Sequence, residues 1–147
     1  MSWLSGQDIE VAIHHHADKA TREAFQGVFS IDKLPFAIMQ YPFLMVVNTQ
    51  AHNLPGMHWI AVFIDRNRRG EVFDSLALPV PQPLMRWLNQ FIRSYTRSRV
   101  MYQHPLSDTC GAFVVYFVFH RLKGTVTFSK SLQHNDNIVR SFYKELK

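Results

Sequence analysis

Apolar and polar positions along the 147-residue chain change period several times, and each change marks an element. Ile9, Ala12, Ile13 and His16 recur at helical spacing behind Ser5-Gly-Gln-Asp8, a capping-box variant, and predict a first helix. The stretch from Ala20 to Leu34 has no clear period; within it Phe25-Gln-Gly-Val-Phe-Ser reads as a turn or a short strand. Phe43-Leu-Met-Val-Val-Asn48 and His58-Trp-Ile-Ala-Val-Phe-Ile-Asp65 are continuous apolar, β-branched runs that predict strands. Polar Arg66-Asn-Arg-Arg-Gly70 predicts a hairpin turn leading into a third strand, Glu71-Val-Phe-Asp74. Pro79, Pro81 and Pro83 form a rigid connection into a helix over 83–95, where Leu84, Trp87, Leu88, Phe91 and Ile92 share one face. Arg99-Val-Met-Tyr-Gln103 reads as a short strand, 110–122 as an apolar helix stopped at Lys123-Gly124, and about 135–146 as a final helix. The expected order is α, three strands, α, strand, α, α. That is one mixed α+β domain over 1–147, with no repeat and no dividing linker.

Composition narrows the class. Hydrophobic residues at 47% and aromatics at 14%, against 18% charged, exclude an intrinsically disordered chain. The longest apolar run, 110–119, is about half of what a bilayer requires, so no membrane partner is expected. The Met-Ser-Trp-Leu-Ser-Gly start lacks the basic and apolar regions of a secretory signal. A lone cysteine, Cys110, forms no internal disulfide and points to an intracellular reducing compartment. It also excludes thiolate-rich zinc fingers and iron–sulfur proteins. The net charge of +5 includes Arg66, Arg68 and Arg69 in one cluster and Arg86, Arg93, Arg97 and Arg99 in another region. Such a surface favours a nucleic acid or other polyanion, and an ordinary solvated basic face explains it equally well. Consecutive His14, His15 and His16 point in three directions on a helix, a geometry that suits a metal poorly.

The chemistry starts at Cys110. Polar, turn-forming Pro105-Leu-Ser-Asp-Thr109 precedes it and an apolar helix follows, so Asp108 or Thr109 can cap that helix. The thiol then sits at a helix N-terminus, where backbone amides and the dipole favour a thiolate. Gly111 permits the close approach of another group. A buried structural cysteine is the plain alternative. A cysteine nucleophile needs a base, and the base an orienter. His58 opens a strand behind a Pro55-Gly56 loop, and Asp74 closes the next strand of the hairpin, so antiparallel pairing brings both to one sheet end. Gln103, seven residues before Cys110, offers an amide that, with the Cys110 N–H, would make an oxyanion hole. Taken singly, these residues read as readily as an edge histidine, a turn former and a polar strand end.

Together, Gly56-Met-His58-Trp59, Val72-Phe-Asp74-Ser75 and Gln103-His-Pro-Leu-Ser-Asp-Thr-Cys110-Gly111 resemble the adenain-like cysteine proteases of adenoviruses and polintons. These belong to the wider SUMO and ubiquitin-like-protein protease superfamily. Phe25-Gln-Gly-Val-Phe-Ser-Ile-Asp-Lys-Leu-Pro35 and Val46-Val-Asn-Thr49 extend the likeness over residues 5–125. Papain-like enzymes place cysteine before histidine, and chain order excludes them. The resemblance implies the papain-like/adenain-like α+β architecture: a central mixed, mainly antiparallel sheet flanked by helices, with the nucleophile at a helix N-terminus. It implies Cys110 as nucleophile, His58 as general base and acid, Asp74 as orienter, Gln103 as oxyanion donor and Trp59 packed beneath the site.

The implied function is a viral or viral-element cysteine endopeptidase that cleaves precursor and capsid proteins at small-residue, glycine-type sites, in the host nucleus or the virion. Polypeptides are then the substrates, with no metal or organic cofactor. Activation by DNA, or by a noncovalently bound viral peptide, is compatible with the sequence. The disulfide-linked peptide that activates adenain is not, because Cys110 has no companion thiol. Asp74 stands where adenain has glutamate, as in the polinton and SUMO-protease branches. Two other readings stay open: a deubiquitinase or SUMO-like isopeptidase using the same four residues, and a basic nucleic-acid-binding module in which they are incidental. No heptad seam is present, and a monomer is expected.

Overall fold

Strands β2 (Phe43–Asn48) and β3 (Trp59–Ile64) form the centre of the sheet and are buried on both faces, which is why each is an unbroken apolar run. The computed structural model describes residues 3–50 and 58–146. In chain order these form α1 (Gly6–His16), α2 (Lys19–Ala24), β1 (Phe25–Ser30), β2, β3, β4 (Arg69–Phe73), α3 (Gln82–Phe91), β5 (Ser94–Arg97), α4 (Cys110–Arg121) and α5 (Leu132–Glu145). The five strands lie in the order β1-β2-β3-β4-β5. The β2–β3 and β3–β4 pairs are antiparallel, while β1–β2 and β4–β5, at the two edges, are parallel.

Side chains on alternate strand positions divide between two cores. Leu44, Val46, Trp59, Ala61, Phe63 and Phe73 face α4, α1 and α5. Met45, Val47, Ile60, Val62, Ile64 and Val72 face Leu84, Trp87 and Leu88 of α3. Helix α4 is buried from Cys110 to Phe119, so it is apolar on every side and not amphipathic. Gly124, at φ 69°, ends the turn that follows it, as the Lys123-Gly124 stop predicts. Ser5 caps α1 through a complete capping box: its hydroxyl accepts the Asp8 N–H at 3.0 Å and Asp8 accepts the Ser5 N–H at 2.9 Å.

Several expected boundaries need correction. Helix α3 stops at Phe91 instead of running to 95, and the strand that follows is Ser94–Arg97, not 99–103. The open edge of β4 decides this. Pairing with Arg69–Val72 gives Ser94–Arg97 a ladder, while Ile92 and Tyr95 still reach the second core from extended backbone. Gln103 therefore lies in a loop and not at a strand end. The unassigned N-terminal stretch contains both a short helix, α2, and strand β1, whose bulge lies between Phe25 and Val28, with Gly27 at φ 139°. Helix α5 begins at Leu132, earlier than the sequence suggests, because the Ser131 hydroxyl caps it at the His134 N–H. Among the described residues no helix is long and apolar enough to cross a membrane, and no group of three His, Cys, Asp or Glu side chains could hold a metal ion.

Candidate active site

One end of the sheet gathers the end of β2, the start of β3 and the ends of β4 and β5. His58 directly precedes β3, and its carbonyl accepts the Thr49 N–H at 3.1 Å, which ties its backbone to the end of β2. Asp74 directly follows β4. The hairpin brings the two side chains together: His58 Nε2 donates to Asp74 Oδ1 at 2.8 Å, with the side chains only 13% and 8% exposed. The Cys110 side chain also acts on the ring, and Asp74 engages only one of its two nitrogens. Burial is the largest influence on the His58 imidazole and opposes its charge. The Asp74 hydrogen bond, the Cys110 hydrogen bond and the charges of both groups outweigh it and raise its pKa to about 9. The Pro55-Gly56 loop, and with it Gly56 and Met57 of the first motif, lies outside the described residues.

Backbone contacts hold Asp74 in place. Its Oδ1 also accepts the Leu76 N–H at 2.9 Å, an Asx turn, and its own N–H donates to the Ser98 hydroxyl at 3.0 Å. Asp74 is thus a turn former as well as the partner of His58. Ser98 leaves β5 beside it, and nothing in the sequence spacing signals that contact.

Cys110 is the first residue of α4 and is buried. Thr109 is the N-cap by position, yet its hydroxyl makes no cap hydrogen bond. It donates instead to Asp136 Oδ1 of α5 at 2.9 Å, and Asp108 pairs with Arg140 of the same helix at 3.4 Å. The amides at the start of α4 are left without a side-chain cap, and the turn entering Cys110 is held from α5. Asp136 and Thr109 are almost fully buried, and Ser107 joins them through its hydroxyl, 2.7 Å from that of Thr109. Asn135 anchors the same loop upstream by donating to the Tyr102 carbonyl at 3.2 Å.

Gln103 is fully buried between these two halves. Its Oε1 accepts from the Ser75 hydroxyl at 2.6 Å, and its N–H joins that of Tyr102 on the Ser75 carbonyl. Its Nε2 donates to the Ser107 carbonyl at 3.1 Å, which engages one of the two amide hydrogens. Gln103 therefore connects the residue after Asp74 to the loop before Cys110. Trp59 is buried in the core on the α4 side, with its indole N–H donated to the Leu4 carbonyl at 3.0 Å. The close approach expected at Gly111 is made by Leu4: a Cβ at Gly111 would stand 2.9 Å from the Leu4 Cβ.

Comparison with known proteins bears on the family and the fold. Residues 43–147 match the model of the Ulp1 protease family, C-terminal catalytic domain. The chain is 30% identical over 91 residues to the cysteine protease S273R of African swine fever virus, a match covering 52% of this chain and 33% of that protein. It thus spans about a third of that relative's length. The crystal structure of the pS273R protease of the same virus superposes with a TM-score of 0.70 at 19% identity, over 99% of this chain and 67% of the other. The central domain of Lpg1148 from Legionella pneumophila superposes with a TM-score of 0.60 at 14% identity, over 99% and 97% of the two chains. At these identities the two structures establish a shared fold.

Proposed function

Because the chain belongs to the Ulp1 protease family, whose catalytic domain it carries, we propose that it is a cysteine endopeptidase of viral or viral-element type that cleaves precursor proteins at small-residue sites. The observation that carries the reading is the position of His58, hydrogen-bonded to Asp74 through Nε2 and favoured in its protonated form by both Asp74 and Cys110. With its pKa near 9, His58 is an imidazolium at neutral pH, and in this reading the nucleophile beside it reacts as the thiolate. Cys110 Sγ attacks the scissile carbonyl, and the resulting oxyanion takes the Cys110 N–H and the second Nε2 hydrogen of Gln103. His58 Nδ1 gives its proton to the leaving amine, which departs and leaves a thioester. The now neutral imidazole takes a proton from water, the hydroxide attacks the thioester, and the acid product leaves with the thiolate and imidazolium restored. Asp74 keeps Nε2 protonated and the ring facing Cys110 throughout. The preference for small residues is what the adenain-like motifs imply, and activation by DNA or by a noncovalent peptide is compatible with the basic surface and the lone cysteine.

The test is the rate of iodoacetamide alkylation of Cys110 between about pH 5 and pH 9, in the wild type and in His58→Ala. Fast alkylation well below the usual thiol range of about 8.5, lost in the variant, supports the ion pair. A slow profile that the substitution leaves unchanged refutes it. Turnover of a glycine-ending peptide in preference to a ubiquitin–fluorophore conjugate supports the endopeptidase reading over the isopeptidase one. DNA binding without alkylation or turnover would favour the nucleic-acid-binding module.

A further inference from the structure

Helix α5 sends one buried carboxylate into the loop that carries both candidate oxyanion donors. Asp136 is 1% exposed, and no lysine, arginine or histidine pairs with it among the described residues. Arg140, one turn further along α5, pairs with Asp108. A carboxylate buried without a cation is costly to keep unless its hydrogen bonds compensate, so the groups it holds are informative. The Thr109 hydroxyl has one hydrogen and gives it to Asp136 Oδ1 at 2.9 Å. In the 2.7 Å contact between the Ser107 and Thr109 hydroxyls, Ser107 is then the donor, and its oxygen also lies 3.5 Å from Asp136 Oδ1. One carboxylate oxygen thus orders both hydroxyls of the turn that enters α4.

Those two residues bear on different halves of the oxyanion hole. Thr109 precedes Cys110, whose N–H is one donor. Ser107 offers its carbonyl to Gln103 Nε2 at 3.1 Å, while Gln103 Oε1 accepts the Ser75 hydroxyl at 2.6 Å. The Gln103 amide group is planar and its two Nε2 hydrogens have set directions, so binding one at Ser107 aims the other. A shift of Ser107 turns that second hydrogen, and a shift of Thr109 moves the Cys110 N–H.

We propose that Asp136 is the positioning residue of the oxyanion hole: through Thr109 and Ser107 it sets the Cys110 N–H and Gln103 Nε2 relative to each other. The proposal rests on the protease reading above and adds to it a residue on a helix remote from the sheet. His58 and Asp74 are held separately, by backbone of Thr49 and Leu76 and by the Ser98 hydroxyl. Asp136 therefore acts on the oxyanion donors and not on the base.

The experiment reads two reactions of Cys110 in the wild type, D136A and D136N. Iodoacetamide alkylation displaces iodide at carbon and forms no oxyanion, so it reports the thiolate and His58. Hydrolysis of a glycine-ending peptide amide passes through a tetrahedral oxyanion and reports the donors as well. In D136A the alkylation rate should stay within about twofold of wild type between about pH 5 and pH 9. Its kcat should fall roughly tenfold to a hundredfold, the scale of a misplacement of about 1 Å and less than the outright loss of a donor. D136N keeps an acceptor oxygen and should recover most of kcat. T109V removes the hydroxyl that Asp136 holds and should lose kcat as D136A does, while T109S should retain it. The side-chain amide NMR signals of Gln103 should move in D136A and T109V and return in D136N. Equal losses of alkylation and kcat in D136A, an unchanged kcat there, or no recovery in D136N would each overturn the proposal. A failed protease reading looks different, because the wild type itself would then alkylate slowly and hydrolyse no peptide before any substitution at Asp136.

Discussion

Asp74→Asn tests whether the carboxylate sets the charge on His58. Burial alone would push the imidazole below 6.5, yet its pKa stands at about 9 because Asp74 and Cys110 favour the protonated ring. The gap between 6.5 and about 9 corresponds to roughly 3 kcal/mol in favour of the charged form. A hydrogen bond to a charged group supplies about 1.5–3 kcal/mol of such a balance. Asparagine keeps the shape and an oxygen acceptor but loses the charge, so His58 should titrate roughly one to two pH units lower. The sign for stability follows from linkage. A pKa raised on folding contributes stability that is fully present below 6.5 and is lost as pH rises through about 9. Wild-type unfolding free energy should therefore decline over that window, and Asp74→Asn should flatten the decline. The assays are the NMR titration of the His58 ring and urea unfolding at several pH values. Turnover should fall by about tenfold to a hundredfold if the same interaction is lost in the transition state. A His58 that still titrates near 9 in the variant would refute the argument.

Other consequences concern residues around the site. Gly111→Ala would drive a methyl into the Leu4 Cβ, which cannot swing away as a side-chain tip could, so it should cost about 1–3 kcal/mol in chemical denaturation and slow Cys110 alkylation. Asp136→Ala leaves the buried Thr109 hydroxyl without its carboxylate and should lower kcat more than it raises KM, while Asp136→Asn, which retains an acceptor oxygen, restores most of the rate; equal losses in both would deny a positioning role. Ser5→Ala removes one half of the α1 capping box and should lower stability by about 1 kcal/mol in urea unfolding with little effect on alkylation.

The central elements were legible because their residue patterns report their surroundings directly. Two strands buried on both faces leave continuous apolar runs at Phe43–Asn48 and Trp59–Ile64, and a helix enclosed on all sides leaves one at 110–119. The hairpin between β3 and β4 is local, so the meeting of His58 and Asp74 followed from antiparallel pairing and the short turn. Cys110 at a helix start followed from the polar-to-apolar change after Thr109.

What the sequence left open was decided by partners distant along the chain. Ser94–Arg97 is a strand because the edge of β4, more than twenty residues earlier, offers it hydrogen bonds that outweigh the helical period running into it. Phe25–Ser30 is a strand for the same reason, pairing with β2. The Thr109 hydroxyl serves α5 and not its own helix because a buried carboxylate from Asp136 lies within reach. Gln103 joins Ser75 to Ser107 across 28 residues on one side and four on the other. Local period is set by the average environment of an element and can be read along one chain. Edge pairing and buried polar contacts depend on which distant groups arrive at hydrogen-bonding distance, and only the folded arrangement of the sheet and α5 determines that.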